Sequence, residues 1–141
     1  MIFMIINHNI RTKMQIFAPA VVRIGLALVV LWFGSQQLLD AEAWTGLIPE
    51  IVTNLSGLEA SQVVLFNGVF EIIFGLCLLV GFYTEIISLF LALHMMVITF
   101  TVGYNDVGVR DFGLSMAAIS TFLHGVDDYT LDNHLEKRTS V

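Results

Sequence analysis

The chain has 141 residues, 57% of them hydrophobic and only 13% charged, and its net charge is −6. A soluble domain carries about 45–50% apolar and about 25% charged residues; here the apolar surplus is gathered in four long runs without a polar face on each turn, which argues against a soluble helical protein. The acidic balance gives no support for nucleic-acid binding, and a single cysteine, Cys77, excludes an intramolecular disulfide, a CxxC redox pair and a cysteine metal cluster.

Residues 1–15, "MIFMIINHNIRTKMQ", make a poor signal peptide: the apolar part precedes the basic part, and no small-residue cleavage site follows. They are expected to form a cytoplasmic or interfacial lead-in, with Met14 as a second candidate start. The first span is expected over 16–39, with Pro19 suited to a first helical turn. Arg23 lies in the early part of this span, where it either snorkels to the headgroups or pairs with Glu71. The loop over 40–62 contains "AWTGLIPE", expected as a short amphipathic piece at the interface. Trp32 and Trp44 fit interfacial anchoring. The sequon Asn54-Leu55-Ser56 is read as a chance match.

The second span is expected over 63–82, the third over 85–104 and the fourth over 109–126. Spanning needs roughly 20 mostly apolar residues, and the fourth run, with Arg110, Asp111, Ser115, Ser120 and Thr121, meets this least well. Gly113, Ala117 and Thr121 recur there at four-residue spacing, a candidate close-packing face. The turn "GFYTE" should pair the second and third spans antiparallel. Residues 127–141 read as a polar tail, helical or loose. Arg11, Lys13 and Arg23 before or early in the first span, with Lys137 and Arg138 after the fourth, mark the cytoplasmic side, and the loop over 40–62 holds acids and no base. The expected fold is therefore all-α: an integral-membrane four-helix bundle with both termini cytoplasmic.

Polar residues inside the apolar runs are the site candidates. An ionisable side chain at mid-bilayer costs a few kcal/mol or more, so it should face protein or a water pocket. Asn67, Gly68, Glu71 and Gly75 share one helical face, which points the Glu71 carboxylate into the bundle. His94 is expected at the same depth. Glu71, Asn67, His94 and Arg23 thus form a candidate buried polar site. At the outer face, Gln36, Asp106, Arg110 and Asp111 form a second candidate cluster, with Arg110 placed to pair with Asp106, Asp111 or an acid of the long loop. Two readings of Glu71 stay open: a proton-handling or ligand-anchoring acid, and a hydrogen-bonded joint between helices. His94 could serve a proton relay or contact a quinone headgroup; a bis-histidine haem is disfavoured, because His124 lies near the far end of its own span. No metal-ligand cluster, nucleophile triad or phosphate loop is present.

The pieces "VRIGLALVVLWFGSQQLL", "WTGLIP", "FNGVFEIIFGLCLLVGFYTEIISLFLALH", "VGVRDFGLSMAAIS" and the "LD" of "YTLD" resemble, in this order, the DoxX family of small membrane proteins with DoxX/DoxD-like four-helix topology. The resemblance covers about Val22 to Asp132 and carries over Arg23, Gly34, Gly68, Glu71, Gly75, Gly81, Arg110, Asp111 and Asp132. It implies a multi-pass inner-membrane protein of a bacterium or archaeon. It also implies a link to thiosulfate oxidation and the quinone pool, to oxidative-stress and thiol-handling partners, or to assembly of other proteins. The chain departs from a thiol-handling role, having no outward-facing cysteine.

Three functions follow as expectations. The first is a non-catalytic or quinone-associated subunit of a membrane redox or oxidative-stress complex, with a soluble or membrane oxidoreductase partner. The second is a scaffold or assembly factor, and the third a small proton-coupled transporter. The chain is not expected to be an enzyme by itself. Its expected surroundings are the lipid bilayer and, compatible with the sequence, further copies of itself.

Overall fold

The computed structural model describes residues 8–139; residues 1–7 of the expected lead-in lie outside them. The described chain is helical throughout: α1 (His8–Leu39), a 3₁₀ turn (Glu42–Leu47), α2 (Glu50–Ser56), α3 (Ala60–Val80), α4 (Thr84–Val102), α5 (Asp106–His124) and α6 (Leu131–Thr139). Three helices are long and apolar enough to cross a membrane: α1 from Ile10, α3 and α4. α5 is as long as α4 but interrupted by the charged and hydroxylated residues noted above. α1 starts earlier than the span expected from residue 16 and, at 32 residues, is about 48 Å long. It outreaches a hydrocarbon core of about 30 Å.

The long helices form a ring of neighbours: α1 packs on α3 and α5, and α4 packs on α5 and, more sparingly, on α3. Glycines set the α1–α3 seam. A Cβ on Gly34 would lie 2.9 Å from the Glu71 Cβ and 3.0 Å from the Gly68 carbonyl oxygen. That is closer than real Cβ atoms approach, so the helices meet backbone to backbone. The inward residues of α3 are Val64, Gly68, Glu71, Gly75 and Leu78, while Phe66, Val69, Ile73 and Leu76 point outward. This is the face read from the sequence. On α5 the inward stripe is Gly108, Asp111, Ser115, Ala118 and Thr121. Gly113 is exposed and has open space beside it, so the close-packing face expected through Gly113 is corrected. Asp111, Ser115 and Ala118 take the inward positions, which leaves Gly113 pointing out.

One half of the ring interior is a dry core of Leu26, Ala27, Val30, Leu78, Leu91, Ala92, Met95 and Ala118. Beyond it, one end is tied by a buried ion pair. Arg23 Nε and Nη2 donate to Asp127 at 2.7 and 3.3 Å. Nη1 donates to the Leu78 and Leu79 carbonyls at 2.8 Å, and Nη2 to that of Tyr129 at 3.3 Å. All donors of the guanidinium fork are engaged. Leu78 and Leu79 lie in the last turn of α3, where carbonyls point past the helix end and a cation suits the dipole. Arg23 therefore neither snorkels nor pairs with Glu71; both expectations are corrected, because Asp127 and the α3 C-terminus satisfy it first.

The segment after α5 also caps the N-terminus of α4. Asp132 accepts from the Tyr83 and Thr84 amides at 2.9 and 2.7 Å and from the Thr84 hydroxyl at 2.8 Å. Gly81, in a left-handed conformation with φ of 71°, admits Thr130 where a Cβ would clash at 2.6 Å. Residues 127–132 are thus part of the fold rather than a loose tail.

Candidate functional site

At the opposite end from Arg23, the ring opens around a polar triangle. Asn67 Nδ2 donates to Gln37 Oε1 at 2.7 Å and to Glu71 Oε1 at 3.0 Å. Gln37 Nε2 donates to Glu71 Oε2 at 3.1 Å. Helical spacing on α3 puts Asn67 one turn from Glu71, and the glycine seam brings Gln37 of α1 within reach. Glu71 and Gln37 are 2% and 4% exposed, so a carboxylate in an apolar bundle has its oxygens met by amide donors rather than water.

α5 contributes the next layer. Asn105 caps it by accepting from the Val107 and Gly108 amides. One turn on, Arg110 Nε donates to Asp111 Oδ1 at 2.6 Å, with Asp111 fully buried. The Arg110 guanidinium carbon sits 3.9 Å above the Phe33 ring, and Phe33 meets Trp44 edge-on at 5.8 Å. On α4, His94 packs at a tilt against Phe70, with ring centroids 4.2 Å apart, and Phe70 stacks on Phe74 at 4.0 Å. These rings supply part of the sparing α3–α4 contact.

These groups converge on one cavity of about 220 Å³, lined by Gln37, Asn67, Glu71, His94, Arg110 and Asp111 among apolar residues of α3, α4 and the 3₁₀ turn–α2 segment. Trp44, Leu47, Ile48, Pro49 and Val52 of that segment form its cover. Among the described residues, the hydrogen bonds of residues 40–59 are all local, spanning at most four positions. The cover is held by side chains alone and buries none of its residues. Val97, 63% exposed, also lines the cavity, which therefore reaches the outer surface of α4.

Two polar atoms of the lining are buried without a partner among the described residues: His94 Nε2 and Asp111 Oδ2. Such atoms are rare, since roughly 90% or more of buried polar groups are hydrogen-bonded.

The structure thus merges most of the two sequence clusters. Glu71, Asn67 and His94 share a cavity with Arg110 and Asp111, and Arg23 stands apart in the lock at the other end. Gln36 is half-buried and outside the lining; its neighbour Gln37 takes the inward position. Asp106 is exposed on the first turn of α5. Asp127, the partner of Arg23, was not singled out from the sequence at all. His94 and His124 line different cavities and cannot ligate one haem iron between them. Among the described residues, no group of three or more His, Cys, Asp or Glu is placed to hold a metal ion.

Residues 18–104 match the family model described as DoxX, which is more than half of the chain. The chain belongs to the DoxX family. The matched stretch holds Gln37, Asn67, Glu71 and His94, whereas Arg110, Asp111 and Asp132 of this DoxX chain lie beyond it. No curated protein and no solved structure matches the chain closely enough to count as a relative. With three helices long and apolar enough to cross a bilayer, this DoxX-family chain is a membrane protein.

Proposed function

We propose that this DoxX-family protein binds a quinone headgroup in the Glu71–His94 cavity, as a subunit of a membrane redox complex whose electrons come from a partner oxidoreductase. The observation that carries the reading is one apolar-walled cavity whose lining brings together Gln37, Asn67, Glu71 and His94, with His94 Nε2 lacking a hydrogen-bond partner among the described residues. An apolar cavity of about 150 Å³ admits benzene, so about 220 Å³ accommodates a substituted ring with polar substituents. His94 would hydrogen-bond a ring oxygen, Trp44 would cover the ring, and Gln37 and Asn67 would hold the Glu71 carboxylate in place.

The same reading takes α5 as a fourth span, with both ends cytoplasmic in the inner membrane of a bacterium or archaeon. The basic residues near both ends support this orientation. Inward-facing Asp111 and Ser115, hidden from lipid by α4 and α1, support a spanning α5 despite its polarity.

A scaffold role is the second reading, favoured by the Gln37–Asn67–Glu71 triangle, which joins α1 to α3 with or without a ligand. A transporter fits less well, because the dry core and the Arg23–Asp127 lock interrupt any polar path.

Titration of the detergent-purified protein with decylubiquinone tests the reading, with Trp44 fluorescence as readout in a Trp32→Phe background. Saturable quenching is expected in the parent. His94→Phe, which keeps a ring against Phe70 but removes the polar nitrogens, should weaken it about tenfold or more. Absence of saturable quenching in the parent, or an unchanged affinity in His94→Phe, would leave the scaffold reading in its place.

A further inference from the structure

The cavity has an apolar side that its polar groups do not explain. α3 and α4 run antiparallel from the turn over 81–83 and touch only sparingly. Their ring contacts are Phe74 with Phe90, at 6.0 Å, and Phe70 with His94, at 4.2 Å. Continued away from the turn, that register sets Asn67 opposite Val97 and then Val63 opposite Thr101. All four line the cavity. The cavity therefore occupies the seam between α3 and α4 beyond the Phe70–His94 pair, where the two helices would otherwise pack.

The seam opens sideways. Val97 lines the cavity and is 63% exposed. By helical spacing, Phe66 of α3 and Phe100 of α4 lie on the outward edges of the same seam, and both are exposed. α3 and α4 are each long and apolar enough to span a bilayer, so their exposed side chains face lipid rather than water. The walls at the opening are Val63, Val97, Ile98 and Val102, with Thr101, whose hydroxyl donates to the Val97 carbonyl of its own helix at 2.6 Å. Glu71 and His94 lie one turn further in. The cover closes the cavity from the end of the bundle with apolar side chains, Trp44, Leu47, Ile48, Pro49 and Val52.

We infer that the occupant is a bilayer lipid with a ring for a head, and that its aliphatic tail leaves the cavity through the α3–α4 seam past Val97. The inference rests on the ring-binding reading above and adds the ligand's class and the path of its tail. A cavity of about 150 Å³ takes benzene, so a substituted ring fills about 220 Å³ and a long tail has to lie outside. Past the cover, the tail would enter water at the end of the bundle. Through the seam it runs along apolar walls into acyl chains, which keeps its surface out of water throughout. The ring's polar substituents meanwhile reach the polar groups one turn deeper, where buried polar side chains belong in a membrane protein. The cavity thus draws on the bilayer's own lipids and not on tailless, water-soluble rings.

The test uses the full chain in nanodiscs, photolysed with two analogues of decylubiquinone and followed by peptide mapping. One analogue carries an azide on the ring, the other a diazirine midway along the decyl tail. Ring label is expected on the cover and on the His94 turn of α4. Tail label is expected on α3 around Phe66 and on α4 between Val97 and Thr101, and an excess of unlabelled decylubiquinone should remove most of both. Competed ring label, with tail label on the cover, on α1, on α5 or nowhere, overturns the inference and leaves the ring-binding reading intact. Absence of competed ring label overturns both.

Discussion

Glu71 takes its two hydrogen bonds from residues on different helices, so its neighbours can be tested one at a time. Gln37→Ala leaves Glu71 Oε2 buried without its donor and should destabilise the detergent-solubilised protein by about 1–2 kcal/mol. A double-mutant cycle with Glu71→Ala should return a coupling of about 0.5–1.7 kcal/mol, the range of hydrogen bonds inside membrane proteins, read from thermal or steric-trapping unfolding. Gln36→Ala at the adjacent position should be near neutral, since Gln36 makes none of the triangle's hydrogen bonds and lies outside the cavity lining. The sequence pointed to Glu71 and Asn67 because polar residues in an apolar run have one tolerable direction. It did not separate Gln37 from Gln36. Successive residues point about 100° apart on a helix, and the rotation of α1 is fixed by its glycine seam with α3, a tertiary fact. Arg23 shows the same limit more sharply. Its charge demanded a partner, but Asp127 is 104 positions away in a stretch that reads as a polar tail.

The helices themselves were legible because each is a long apolar run closed by a breaker: Gly57 before α3, Gly81 before α4, Gly103 before α5 and Gly125 after it. Less legible was which face of α5 turns inward, because its glycine and alanine spacing competes with Asp111 and Ser115. The α1–α3 seam gives an element-level prediction. Gly34→Val places its side chain against Glu71, Gly68 and Ile72 and should cost about 1–3 kcal/mol through overpacking. It should also weaken ring binding, because Gln37 is carried away from Glu71. The C-terminal segment gives another. Asp127→Ala leaves Arg23 charged, buried and missing its carboxylate, and should cost about 3–5 kcal/mol. A loose tail would instead tolerate this change without measurable effect in a thermal melt.

Across the whole molecule the interior is divided. The apolar core and the Arg23–Asp127 ion pair separate a cavity at the His124 end from the one at the Gln37 end, which lies under a cover attached only by side chains. In a bilayer, single cysteines introduced at Leu55 and at Leu135 in a Cys77→Ala background should label from opposite sides with a membrane-impermeant maleimide. Labelling of both from one side would contradict four spans with both ends cytoplasmic.

The central claim is that the Glu71–His94 cavity holds a ring-shaped amphipathic ligand. The most direct measurement is photo-crosslinking with an azido-quinone in native membranes, followed by peptide mapping. Labelling concentrated on the 3₁₀ turn–α2 cover and the His94 turn of α4, and competed by unlabelled decylubiquinone, is the predicted result. Labelling spread over the outward residues Phe66, Val69, Ile73 and Leu76 of α3, and not competed, would contradict it.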